Sequence, residues 1–151
     1  MANQTDPFIN YRYRVELEGM EMMGFSKVSE LANETNIFTY KEGGLNNREH
    51  KLPNATSYSN IVLEHGLSLD NTLYEWREKV INGNMEEALK NGSIKVYSQN
   101  NLTSIWYFYG AWPSKLNISG LDASAGGSGQ VLLESVELVV ERFERHTSSN
   151  K

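Results

Sequence analysis

The stretch IWYFYGAWPSKLN, Ile105–Asn117, places two extended apolar segments on either side of a Trp-Pro pair. Proline fixes its own φ and disfavours the α region for the residue before it, so Trp112 and Pro113 set a rigid corner. We predict a strand over Thr103–Ala111, the corner, and a short extended segment at Lys115–Ser119. Trp112 and Pro113 are therefore predicted to have a packing and direction-setting role.

Strand patterns continue on both sides of this corner. Phe8–Glu18 alternates, with apolar residues on one face and charged residues on the other. Val131–Phe143 is apolar on much of both faces, so it needs a second layer, part of which another subunit can supply. Further strands are predicted at Met22–Val28, Thr35–Lys41, Asn60–Leu67 and Ser93–Ser98.

One segment has helical periodicity. In Ser68–Gly83, Leu73, Trp76 and Val80 form a single apolar stripe. Ser68 or Asp70 is a suitable N-cap, and Asn82-Gly83 supplies a left-handed stop. Another helical turn or two is predicted at Met85–Lys90.

Glu42–Ser59 contains paired glycines, a proline and several asparagines, and we predict a long loop there. Asp122–Gln130 is glycine-rich and is predicted to be a second, flexible loop. The predicted fold is mainly β, a small barrel or two-sheet antiparallel sandwich with one flanking helix and an extended loop arm. We expect one domain over residues 1–146 and a disordered tail at 147–151.

Composition excludes several classes of protein. The chain has no cysteine, which removes disulfides, thiolate catalysis and cysteine-ligated metals. The net charge is −5 without a basic stripe, so specific nucleic-acid binding is not expected. No run is long enough to span a membrane, and residues 1–12 lack the apolar region of a signal peptide.

A catalytic site is not indicated by any motif. The histidines His50, His65 and His146 are not spaced as metal ligands. We interpret His65 as a surface or half-buried residue and Glu134 with Glu137 as a solvated face. The aromatic cluster around Trp106 can serve as a ligand platform, but core or subunit packing is favoured. We therefore predict no enzyme activity, no cofactor and no metal.

Six pieces of the chain, in order, are typical of one family. They are DPFINYRYRVELEGM, GFSKVSEL, KEGGLNNREHKLPN, YSNIVLEHGLSLDNTLYEWR, YGAWPSKLNISGLDAS and VLLESVELVVERFE. The chain resembles the tail tube proteins of contractile-tailed phages and of extracellular contractile injection systems. The resemblance implies a structural protein whose hexameric rings stack into a tube that conducts DNA or a protein effector.

The resemblance also implies partners. These are other copies of the chain, a surrounding sheath, and baseplate and tube-terminating proteins. A heterologous ring that closes leaves no free sheet edge, since neighbours can pair their edge strands. We expect synthesis in the bacterial cytoplasm and assembly into a phage tail or tail-like particle that lysis releases. The lumen is expected to be neutral or acidic, so that cargo slides without sticking.

Within this interpretation, two surfaces are assigned roles. The loop is predicted to be an arm that packs on the next ring; its residues are Gly43, Gly44, Leu45, Arg48, Lys51, Leu52 and Pro53. The outer helix face is a predicted sheath contact; its residues are Glu75, Arg77 and Glu78. Two alternatives remain open, a tube-initiating or capping protein of the same baseplate and a monomeric β-barrel that binds a small ligand.

Overall fold

A computed structural model describes residues 11–20, 25–44, 48–67, 71–98, 101–121 and 132–147. Strands dominate these ranges, and the two helices follow one another in the middle of the chain. The elements are β1 (Tyr11–Leu17), β2 (Lys27–Val28), β3 (Asn33–Lys41), β4 (Glu49–Tyr58), β5 (Ile61–Gly66), α1 (Thr72–Ile81), α2 (Met85–Ala88), β6 (Lys90–Ser98), β7 (Asn101–Ser119), β8 (Leu133–Val139) and β9 (Arg142–Thr147).

Strand β7 belongs to two antiparallel sheets. Its first half lies between β6 and β9, and β1 extends this sheet beyond β6. Its second half pairs with β8, which continues into β5 and β2. Strands β3 and β4 form a separate two-stranded sheet. The mainly β, two-sheet prediction is confirmed.

The core is built from the inward-facing residues of both sheets and from α1. Leu73 and Trp76, on the predicted helical stripe, are buried against it, and Val80 is half-buried. Trp76 Nε1 also donates a hydrogen bond to the Ala88 carbonyl at 2.6 Å, which fixes α2 to α1. The strand residues of the core include Val15, Leu17, Ile61, Leu63, Ile94, Phe108, Ala111, Val136, Leu138 and Phe143.

The predicted stop at the C-terminal end of α1 is observed, whereas the predicted N-cap residues cannot be compared. The residue before the helix is Asn71, and Gly83 after it has φ +81, the left-handed conformation predicted for the stop. The proposed cap residues Ser68 and Asp70 lie outside the described residues. So do parts of the predicted strands, residues 8–10, 22–24 and 131, and the glycine-rich loop 122–130.

Two strand predictions need correction. β7 runs without a break from Asn101 to Ser119, so the corner lies within one strand. The predicted strand Val131–Phe143 is instead β8 and β9, separated at Val140–Glu141. Val136, Leu138 and Val140 face the core, and the break shifts the alternation so that Phe143 faces it too. The apolar residues that occupy both faces of one long predicted strand therefore belong to two strands, whose inward-facing positions are shifted by one residue.

The predicted loop Glu42–Ser59 is also wrong, since Glu49–Tyr58 is strand β4 paired with β3. In the sequence, Pro53 and the polar residues after it interrupt the alternation of apolar and polar residues that predicts a strand. The register of the pair shifts between Thr35 and Ile37, where Pro53 pairs with Ile37. A proline is tolerated at such an irregularity, and in a two-stranded sheet each strand also has an unpaired edge.

His65 was predicted at the surface or half-buried and Glu134 on a solvated face, but both are buried. The alternation of β5 carries His65 inward with Ile61 and Leu63, and that of β8 carries Glu134 inward with Val136. β9 extends to Thr147, and residues 148–151 lie outside the described ranges.

Candidate assembly surface

The β3–β4 pair projects as a two-stranded ribbon, which we call the ribbon. Every described side chain of β3 is exposed, and only the ends of β4 are partly covered. Reciprocal hydrogen bonds join its two strands at the base, with Ala32 N donating to Ser59 Oγ at 2.9 Å and Ser59 N donating to the Ala32 carbonyl at 2.8 Å. The segment before β3 is bonded to β5, since Ser29 N donates to the Val62 carbonyl at 2.9 Å and Val62 N donates to Ser29 Oγ at 2.8 Å. Tyr58 packs edge-on against Phe143 at 4.9 Å between ring centroids. The ribbon is thus anchored at one end only.

The two faces of the ribbon differ in chemistry. On one face Phe38 pairs with Leu52 and Tyr40 with His50. The Phe38 and Tyr40 rings are stacked at 6.3 Å, and the Tyr40 and His50 rings at 5.0 Å. His50 Nε2 also lies 3.3 Å from the Glu42 carboxylate. This face, which we call the aromatic face, is an ordered apolar surface with a polar end.

The opposite face of the ribbon is more polar. Thr39 pairs with Lys51, and Lys41 forms an exposed ion pair with Glu49 at 3.7 Å. Ile37 is the large apolar residue there and is 66% exposed. An isolated two-stranded ribbon is marginally stable in water, so a surface that covers the aromatic face would stabilise it.

The structure places most of the predicted arm residues on this ribbon. Arg48, Lys51, Leu52 and Pro53 are exposed along β4 and just before it, whereas Leu45 lies outside the described residues. Gly43 and Gly44 follow β3 at the far end of the ribbon, and Gly44 has φ +101. Both residues belong to the turn of the ribbon, where the positive φ of Gly44 suits a glycine.

The predicted corner lies where β7 changes neighbours. β6 pairing ends at Ala111, the β9 pairing ends at Tyr109, and β8 pairing begins at Trp112. Gly110 has φ +62, a conformation that favours glycine, and sequence reasoning missed it. Pro113 is fully buried and pairs with Leu138. Trp112 is half-buried, so Pro113 is the more enclosed of the two predicted corner residues.

The helix and the corner are in contact. Arg77 is half-buried, and its Nη1 donates a hydrogen bond to the Pro113 carbonyl oxygen at 3.5 Å. Glu78 is also half-buried, and Glu75 is exposed as predicted. Glu75 is thus the exposed member of the three, and the side chain of Arg77 reaches β7. The exposed side chains of Tyr74 and Ile81 add an apolar part to the outer surface of α1.

The described ranges give little support for a chemical site. They contain no group of three or more histidines, aspartates or glutamates that could hold a metal ion. A groove of about 420 Å³ crosses β1, β6 and β7, and its lining includes Glu16, Ser93 and Tyr107 but no histidine that could act as a base for Ser93. No described helix is long and apolar enough to cross a membrane.

Comparison with known proteins gives a family match. The model of the T4-like virus tail tube protein gp19 family matches residues 9–144. No curated protein matches. The chain is similar to a chain of the anti-feeding prophage baseplate, determined with 6-fold symmetry, with TM-score 0.78, 22% identity, and coverage of 95% of this chain and 98% of that chain.

Two further solved structures contain similar chains. One is the sheath-tube complex of the PVC extracellular contractile injection system in its extended state, with TM-score 0.76, 22% identity, and coverage of 95% and 94% of the two chains. The other is the tube-terminating cap of the anti-feeding prophage, with TM-score 0.75, 24% identity, and coverage of 98% and 100%. At these identities the similarity establishes the fold.

Proposed function

Because the chain belongs to the T4-like virus tail tube protein family, we propose that it builds the inner tube of a contractile tail or contractile injection system. The observation that carries the proposal is the family match over residues 9–144, which includes the helices, the ribbon and both sheets up to the first half of β9. The work of such a protein is mechanical, and we assign it no enzymatic role. Hexameric rings stack into a conduit for DNA or a protein effector.

Ring closure accounts for the exposed strand edges. The outer edges of β3 and β4 have no strand partner among the described residues, and β1, β2 and β9 are end strands of the two sheets that share β7. Unpaired ladder groups promote open-ended association between chains. A closed ring would pair or cover these edges in a fixed number of copies, which limits that association.

We assign the ribbon to the contact between stacked rings. Its aromatic face exposes Phe38 by 53% and Leu52 by 47%, although both are large apolar side chains. A second copy is the proposed occupant, since every ring in a stack presents the same surface to the next. The predicted arm residues Gly43, Gly44, Arg48, Lys51, Leu52 and Pro53 lie along the ribbon or at its turn, and Leu45 lies outside the described residues. Their charged members would lie at the rim of the contact.

The outer surface of α1 is the proposed contact for a sheath. Glu75 is exposed and Glu78 half-exposed, with Tyr74 and Ile81 beside them on the helix. Such a mixed surface suits a contact that must separate when the sheath contracts. The hydrogen bond from Arg77 to the Pro113 carbonyl oxygen joins this helix to β7.

Baseplate and tube-terminating proteins are the proposed partners at the two ends of the tube. We place synthesis in the bacterial cytoplasm and release of the particle at lysis. The net charge of −5 per chain favours a neutral or acidic channel that does not retain an anionic cargo.

A tube-terminating or tube-initiating position is the second candidate, favoured by the similarity to a chain of a cap structure. The small-ligand barrel gains no support, because large side chains such as Trp76 and Phe108 are buried in the core.

Electron microscopy of the purified full-length chain tests the proposal. Rings or tubes in negative stain are the expected result. A species that stays at the single-chain mass of 17.1 kDa at all concentrations would reject it. Immunogold labelling of intact particles separates the two candidates, since label along the whole length indicates the tube and label at one end indicates a cap or initiator.

A further inference from the structure

The groove across β1, β6 and β7 has a serine at its floor. Ser93 of β6 is the register partner of Glu16 in β1 and of Tyr107 in β7, and all three line the groove. The next residue, Ile94, faces the core, so Ser93 faces outward by alternation. Ser93 is nevertheless only 6% exposed, and its hydroxyl forms no hydrogen bond with another described residue. The groove therefore ends on a nearly buried polar group that lacks a partner.

The β1 wall of the groove carries two carboxylates that differ in their partners. Glu16 is held by Lys95, whose Nζ lies 3.1 and 3.0 Å from the two carboxylate oxygens. Glu18 is exposed and forms no ion pair within the described ranges. Its Oε2 lies 3.5 Å from the backbone nitrogen of Asn91, which is a long hydrogen bond. The groove thus has an unpaired negative charge at its rim.

The β7 wall of the groove is aromatic. Tyr107 is exposed and Tyr109 is half-buried, and both line the groove. The guanidinium carbon of Arg142 lies 4.4 Å from the centre of the Tyr109 ring, and Arg142 is itself paired with Glu144. This wall therefore already stacks one guanidinium within the chain.

A carboxylate that faces tyrosine rings across a serine hydroxyl is suited to a cation. An arginine side chain matches all three groups, because its guanidinium pairs with carboxylates, stacks on aromatic rings and donates several hydrogen bonds in one plane. The chemistry of the groove therefore indicates an arginine from a partner.

The ribbon carries an arginine of this kind. Arg48 lies just before β4, near the turn of the ribbon, and is exposed. It forms no ion pair with a described residue, whereas Lys41 at the same end of the ribbon is paired with Glu49 at 3.7 Å. Because the ribbon is anchored at its base, Arg48 lies at the end that is available to another copy of the chain.

We propose that the groove binds Arg48 of a second copy, which belongs to the neighbouring ring of the stack. The guanidinium pairs with Glu18, packs against Tyr107 and donates a hydrogen bond to the Ser93 hydroxyl. Contact between two different surfaces of identical chains repeats from copy to copy, as growth of a stack requires. The inference rests on the proposed function and adds to it the surface on which the ribbon binds.

Reversal of the two charges tests this contact. The variants are Glu18→Arg, Arg48→Glu and the double variant that carries both substitutions, and rings and tubes are scored in negative stain. Glu87→Arg is the matched control, because Glu87 is also exposed and unpaired within the described ranges but lies on α2. The Tm of each unassembled chain shows whether its fold is retained.

Each single variant should still form rings, but its median tube length should fall roughly tenfold, since loss of one partner leaves the other charge unpaired at the interface. The double variant should recover most of the wild-type length, and the control should match the wild type. Wild-type lengths from both single variants, or a double variant with tubes no longer than theirs, would overturn the proposal. A wild-type chain that forms neither rings nor tubes would reject the proposed function and this contact with it.

A crosslink gives an independent result without loss of charge. Arg48→Lys keeps the positive charge and supplies an amine, which a carbodiimide joins to a carboxylate in direct contact. In tubes assembled from isotope-labelled and unlabelled chains, mass spectrometry should find residue 48 joined to Glu18 of another chain. Glu18→Gln in the same background should abolish that product. Crosslinks from residue 48 to other carboxylates alone would exclude the groove as its binding site.

Discussion

The guanidinium of Arg77 in α1 donates a hydrogen bond to the carbonyl oxygen of Pro113 in β7, with 3.5 Å between Nη1 and O. This contact joins the outer helix to the point at which β7 passes from one sheet to the other. Pro113 is fully buried and is the register partner of Leu138 in β8. This hydrogen bond couples the helix to the corner, so the effects of substitutions in α1 and at the corner should be interpreted together.

Arg77→Ala should lower the free energy of unfolding by about 1 kcal/mol, because it leaves the Pro113 carbonyl without this donor. Glu75→Ala, on the exposed surface of the same helix, is the matched control and should change it by less than about 0.5 kcal/mol. Urea unfolding of the two variants under non-assembling conditions gives the comparison. Equal midpoints would mean that the contact contributes nothing to stability.

At the corner, Pro113→Gly should be more damaging than its size suggests. It removes a fully buried ring and frees the backbone at a fixed bend, at a cost on the order of 2 kcal/mol. Trp112→Ala should cost less than the ~3–5 kcal/mol typical of a fully buried tryptophan, because Trp112 is half-buried.

Both corner variants should also form shorter or irregular tubes in negative stain, since an angular error repeats in every subunit. Tubes of normal length and Tm from both variants would show that the corner is not needed for assembly.

The ribbon offers a test of stacking that spares the fold. Phe38→Ser/Leu52→Ser removes exposed apolar side chains from the aromatic face, so the Tm of the unassembled chain should change little. Rings should persist and long tubes should disappear. Ile37→Ser, on the opposite face, is the control with a similarly exposed residue. Wild-type tube lengths from the double variant would exclude the aromatic face from the contact between rings.

Charge reversal on α1 separates the sheath contact from the tube. Glu75→Lys/Glu78→Lys should leave tubes intact and weaken their co-sedimentation with a purified sheath protein. The reason is that these carboxylates lie on the outer surface of the helix and not in the strands. Loss of the tube itself would indicate that α1 contacts a neighbouring subunit of the ring.

The channel should be neutral or acidic. Six chains carry 6 × (−5) = −30 formal charges per ring, and like charge reduces adhesion of an anionic cargo. A cryo-EM map of the assembled tube, with the surface potential calculated from its coordinates, checks this directly. A strongly basic channel wall would contradict the expectation.

The sequence by itself determined the elements whose pattern is local. The two-residue alternation of β1 and the spacing of Leu73 and Trp76 in α1 both follow from one segment's own geometry. The stop at Gly83 is equally local, because only the backbone conformation of that residue is involved. The family resemblance also depended on the order of such segments along the chain.

The tertiary structure decided what depends on distant partners. β4 forms a strand because β3 lies beside it, even though Pro53 and its polar neighbours disguise the pattern. The side chain of Arg77 turns inward because the Pro113 carbonyl lies within reach. His65 and Glu134 are buried together because β5 and β8 pair in one register, which brings residues 69 positions apart to 3.4 Å. Local periodicity assigns a face to each residue, but only long-range pairing determines what covers that face.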